Sequence, residues 1–178
     1  MAAEQALEQD LLVVERQLGR PPRGVVDVAA RCPCGCPAVV RTEPQLPDGS
    51  PFPTLFYATC PALTGAISTL ESNGMMREMT QRLQDDPDGP LARGYAVAHR
   101  DYLARRAALG SPPQIEDISA GGMPTRVKCL HVLVAHSLAV GPGINPLGDE
   151  ALAALPQWWE GGCCADDDGT EAMTGQTG

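Results

Sequence analysis

Apolar residues recur along this chain in two rhythms. Leu7, Leu11, Val14 and Leu18 fall at helical spacing and predict an amphipathic helix over 4–18, stopped by Gly19. After the rigid turn "RPPRG" the rhythm changes. "VVDVAARC" (25–32), "PAVVRTEP" (37–44) and "LFYAT" (55–59) read as β-strands. Between the last two, "LPDGSPFPT" holds Asp-Gly and three prolines, which makes it a loop. Helical spacing then returns. Pro61 opens a helix over 61–72 that ends at Asn73-Gly74, and Met75, Met76, Met79 and Leu83 mark another over 75–84. "DDPDG" at 85–89 breaks the pattern, and Leu91, Tyr95, Ala98 and Tyr102 mark a third helix over 90–107. A long loop over 110–124 leads to the most apolar helix, from Pro124 to its stop at Gly141, and a short helix follows over 148–155. The pattern predicts an α+β fold: a small antiparallel sheet from the N-terminal third covered by about five helices, one domain over 1–160. Residues 161–178 contain cysteine, are acidic and lack apolar periodicity, so they are expected to form a flexible tail.

Composition narrows the partners. Of 178 residues 43% are apolar but only 4% aromatic, so the core must be mostly aliphatic. The net charge is −9 and Lys128 is the only lysine, and no basic stripe is present; this argues against general nucleic-acid binding. "LLVV" at 11–14 is too short for a membrane span and follows no basic segment, so neither a span nor a secretory signal is expected. A cytoplasmic protein is the expectation, and there the seven cysteines should be thiols, metal ligands or redox groups before they are disulfides.

The candidate chemistry is centred on sulfur. "RCPCGC" places Cys32, Cys34 and Cys36 in the turn between two strands, one residue short of a zinc-knuckle spacing. "KCLHVLVAH" adds Cys129, His131 and His136. At about 100° per residue, Cys129 and His136 share one helix face, whereas Cys129 and His131 can meet only if the helix starts later. Zinc or an iron–sulfur cluster needs ligands from separate segments, and Cys32, Cys60 and Cys129 are candidates, completed by Cys163 or a histidine. Two other readings stand beside this one: Cys129 or Cys32 as a nucleophile activated by His131 or His136, and ordinary buried thiols. Gly121 and Gly122 lead into the predicted helix start with Arg126 and Lys128, which resembles an anion site; a turn with two solvated cations explains the same residues. No Walker loop, Gly-x-Ser-x-Gly or His-Glu-x-x-His is present.

Four strings together, "QLGRPPRG", "RCPCGCPAVVRTEPQLPDGSPFPTLFY", "GMMREM" and "GMPTRVKCLHVLVAHSLAVGPGINPLGDEAL", resemble the domain-of-unknown-function family 501, small cytosolic proteins of actinobacteria and some other bacteria. The resemblance implies no activity. It implies that cysteines at the positions of Cys32 and Cys129 are typical, that the position of Cys60 can be His, and that Cys34 and Cys36 are peculiar to this chain. It also implies a setting beside a septum-formation protein and an exopolyphosphatase-type phosphatase, hence a cell-division or phosphatase partner. Three functions are therefore expected in turn: a structural or regulatory metal or redox protein, an enzyme acting on a small anion at the 121–128 segment with Cys129 or His as the catalytic group, and an interaction domain with no site.

Overall fold

The computed structural model describes residues 2–161, with side chains from Leu7 onward. Helix α1 (Ala2–Leu18) leads into strands β1 (Val25–Arg31), β2 (Pro37–Thr42) and β3 (Phe56–Ala58). The three form one antiparallel sheet in the order β1-β2-β3, with Val39 opposite both Ala30 and Ala58. Five helices follow: α2 (Pro61–Ser72), α3 (Met75–Asp85), α4 (Pro90–Ala107), α5 (Leu130–Val140) and α6 (Pro146–Ala154). The architecture is the expected α+β one, a small antiparallel sheet with six α-helices among the described residues. The expected tail lies outside the described residues apart from Gly161.

Proline sets three of the helix starts. Pro61, Pro90 and Pro146 each stand in the first turn of a helix, where a missing N–H costs nothing. At α6 the Asn145 side chain also accepts the Gly148 N–H at 3.0 Å, a standard N-cap. β2 stops at Thr42, two residues before Pro44 and short of its expected end. Between β1 and β2 the Cys-rich turn is closed by Cys32 N–H to the Cys36 carbonyl (2.9 Å) and Gly35 N–H to the Cys32 carbonyl (2.8 Å).

α5 is the central helix. It packs on β3, with α2 and α6 beside it, and Leu130 and Val132 to Ser137 are all buried. A helix apolar on every side needs such surroundings. It begins at Leu130 and not at Pro124, because the preceding backbone groups are engaged elsewhere. Lys128 N–H bonds the Gly121 carbonyl at 2.7 Å, Val127 N–H bonds Thr80 Oγ1 at 3.0 Å, and Tyr95 O–H donates to the Arg126 carbonyl at 3.1 Å. Gly122 has φ +92°, and a Cβ there would stand 2.7 Å from the Arg126 carbonyl, so this loop requires glycine.

The rest of the core is joined by long polar side chains. Tyr102 O accepts the Leu55 N–H at 2.6 Å. Arg106, almost fully buried, donates to the carbonyls of Pro53 (3.1 Å), Ile118 (2.6 Å) and Ile115. It thereby holds the long 110–124 loop against the turn before β3.

Candidate metal centre

The last turn of α2 meets the first turn of α5. Cys129 is the N-cap of α5 with extended backbone, and its side chain makes no cap hydrogen bond. Glu71 of α2 caps the helix instead: its Oε1 accepts the Leu130 N–H at 2.7 Å. A carboxylate is disfavoured in the last turn of its own helix and favoured at the positive end of another, so α5 stabilises what α2 does not. The same oxygen accepts His131 Nδ1–H at 3.2 Å.

The second ring nitrogen of His131 donates to the Thr64 carbonyl at 3.2 Å. Both nitrogens therefore face acceptors, and the imidazole carries both protons. Its pKa is raised to about 9, first by the hydrogen bond with Cys129 and further by Glu71, against the opposing effect of burial. One donor atom from each of Glu71, Cys129 and His131 lies within 4.8 Å of the other two, and all three residues are half-buried. Among the described residues this is the one such group of three or more His, Cys, Asp or Glu side chains. A ligating histidine usually gives its other N–H to a carbonyl, and Thr64 supplies that acceptor.

Cys129 and His131 open onto a cleft of about 670 Å³. Pro61, Thr64, Gly65 and Ser68 of α2 form one wall; β3 and the end of α1, at Gln17 and Leu18, form the other.

The remaining expected site residues lie elsewhere. Cys32 and Cys60 are 3% and 0% exposed in the core where β1 ends and α2 begins. Burial raises the pKa of the Cys32 thiol, and the neighbouring Cys34 and Cys60 thiols add to the rise. Neither Cys32 nor Cys60 belongs to the Glu71–Cys129–His131 group. His136 is fully buried, with Nε2–H donated to Asp101 Oδ2 (2.9 Å) and Nδ1 accepting from Asn145 Nδ2 (3.3 Å). It stacks on Phe56 at 5.7 Å between ring centroids and meets Tyr102 edge-on at 5.2 Å. Burial lowers its pKa. Both nitrogens are in use, so His136 presents no lone pair to an ion. Gly121 and Gly122 form a turn ahead of α5, with Arg126 and Lys128 exposed beside it. Cys163 lies outside the described residues.

Glu71 was not among the residues expected from the sequence. Its signal is its position: an acid in the last turn of α2, against the helix dipole, with no basic residue there to offset it. The pairing of Cys129 with His131 follows from the late start of α5, the condition under which the two can meet.

Residues 28–153 match the sequence profile of the family described as "Protein of unknown function (DUF501)", and the chain belongs to that family. No curated protein matches the chain, and no solved structure does. No helix among the described residues is long and apolar enough to cross a membrane.

Proposed function

We propose that this DUF501 member is a metalloprotein whose ion, of the zinc type, is held by Glu71, Cys129 and His131 at the head of the cleft. The observation that carries the reading is the convergence of one sulfur, one nitrogen and one oxygen donor within 4.8 Å, with the far nitrogen of His131 anchored on Thr64. Glu71 lies on the Nδ1 side of His131 and the Thr64 carbonyl on the Nε2 side, and the three donor atoms are close enough together to share one ion. Mixed N, O and S donors suit zinc, and three protein ligands beside an open cleft are the arrangement of catalytic rather than structural zinc sites. Such an ion supplies Lewis acidity to a bound oxygen.

Cobalt tests the reading. The full chain, treated with chelator under reducing conditions, should take up one cobalt ion and show thiolate-to-cobalt absorption in the near ultraviolet. That band should vanish in Cys129→Ser and persist in Cys32→Ser and Cys60→Ser. Absence of stoichiometric uptake, or a band that survives in Cys129→Ser, refutes the site.

One observation favours a second reading. In the metal-free protein the His131 ring is hydrogen-bonded with the Cys129 side chain, the pair of groups that nucleophilic catalysis by cysteine uses. Under this reading Cys129 alkylates much faster than Cys34, and His131→Gln removes the difference. A regulatory role beside a phosphatase or cell-division partner rests on the family resemblance alone.

A further inference from the structure

The cleft beside the cluster has features that ion binding alone does not require. Gly65 lies in the interior of α2, where glycine weakens a helix relative to alanine. Its φ is not positive, and nothing stands within 4 Å of the place its Cβ would take. Neither backbone conformation nor packing against a neighbour demands glycine there. What the missing side chain provides is open space in the cleft wall beside Thr64 and one turn from Ser68.

The lining points to the kind of molecule that would use this space. It contains no Asp, Glu, Lys or Arg. Apart from Cys129 and His131 its polar side chains are uncharged, the Gln17 amide and hydroxyls such as those of Thr54 and Thr64, and its apolar surface comes from Phe56, Ala58 and Val132. A divalent ion on one thiolate, one carboxylate and one neutral imidazole has no net charge, so it makes no demand for an anion. The volume, about 670 Å³, lies within the range of small-molecule sites.

We infer that the cleft is the binding chamber of the metal centre, that it takes an uncharged, partly apolar ligand bringing a carbonyl or hydroxyl oxygen to the ion, and that Gly65 sets the width it accepts. This rests on the metal reading above.

Two measurements test it, one of them independent of metal. Cys129 lines the same cleft, so its alkylation in the chelator-treated full chain reports access and is read by peptide mass spectrometry. Gly65→Leu should leave the rate with iodoacetamide within about two-fold of wild type and slow 2-iodo-N-phenylacetamide about ten-fold or more. Gly65→Ala should melt at a higher temperature than wild type and give an intermediate slowing. In the cobalt-loaded protein, benzamide, which brings a carbonyl oxygen and keeps its protons, should shift the visible bands; Gly65→Leu should weaken this about ten-fold while taking up cobalt as wild type does. The 4-carboxy derivative should bind wild type about ten-fold more weakly than the parent, because its charge meets no cation in the lining. Equal slowing of both alkylating reagents, or of neither, overturns the chamber. Tighter binding of the carboxylate probe overturns the uncharged ligand. Failure of wild type to bind cobalt overturns the metal centre, and the alkylation pattern then decides the chamber by itself.

Discussion

His131 and His136 stand five positions apart on the same helix and have opposite chemistry. His131 lies in the first turn of α5, half-buried between a carboxylate and a carbonyl, and is held as the cation. His136 lies in the buried middle, between Phe56 and Tyr102, and burial holds it neutral. The difference comes from what each ring can reach. The helix start leaves backbone groups and a cleft for His131 to share with Cys129 and Glu71. The helix interior offers His136 two fixed partners, Asp101 and Asn145, which use up both of its nitrogens. One histidine can exchange its proton for an ion, and the other is part of the packing.

The comparison can be broken most sharply at the metal. Cys129→Ala should lower cobalt affinity at least about a thousand-fold, about 4 kcal/mol, while His136→Ala should leave it within about two-fold by spectrophotometric titration. The reverse holds for stability. Urea unfolding should show His136→Ala costing about 3 kcal/mol, from the cavity and the unpaired Asn145 amide, whereas His131→Ala costs less. Glu71→Gln keeps an oxygen to cap α5 and removes the charge, so it should lower cobalt affinity about ten- to a hundred-fold, with the helix content read by circular dichroism unchanged. Asn145→Ala removes the α6 cap and the His136 contact together, for about 1–2 kcal/mol by urea unfolding.

The smallest effect is in the pH profile of the metal-free protein, where the two residues differ in sign. The folded pKa of His131, about 9, lies above its ordinary 6.5. Its contribution is fully present below pH 6.5 and is lost as pH rises through about 9. The folded pKa of His136 lies below 6.5, so the unfolded chain binds the proton first and stability falls as pH drops below that value. Asp101 adds a later loss. Burial pushes its carboxyl up, but hydrogen bonds from Arg105 and His136 hold it below its ordinary 3.8, so its share disappears only at more acidic pH. His131→Gln should flatten the alkaline limb of the stability curve, and His136→Gln the first part of the acid limb.

The same contrast explains what was legible in the sequence. The strands, α2 and α4 follow from local pattern: alternating or β-branched runs, and prolines that open helices at Pro61 and Pro90. The start of α5 does not. Pro124 reads as a helix opening, but Thr80 and Tyr95, from two other helices, take backbone groups of Val127 and Arg126 and keep the segment in turns. With the start at Leu130, Cys129 joins His131, a pairing the sequence allowed only on that condition. Glu71 was hidden for the same reason. Its partner amide is 59 positions away, and no local spacing connects them. His136 looked like a ligand because its tertiary partners, Asp101 and Asn145, are invisible to helical periodicity.

The buried guanidinium of Arg106 has a consequence for how this chain can vary in length. It gathers the carbonyls of Pro53, Ile115 and Ile118 at one point. An insertion between residues 115 and 118 would pull one of the three oxygens away from a buried charge, whereas the exposed Ser111 carries no such tether. Homologues should therefore gain or lose residues around position 111 and keep the 115–118 spacing constant.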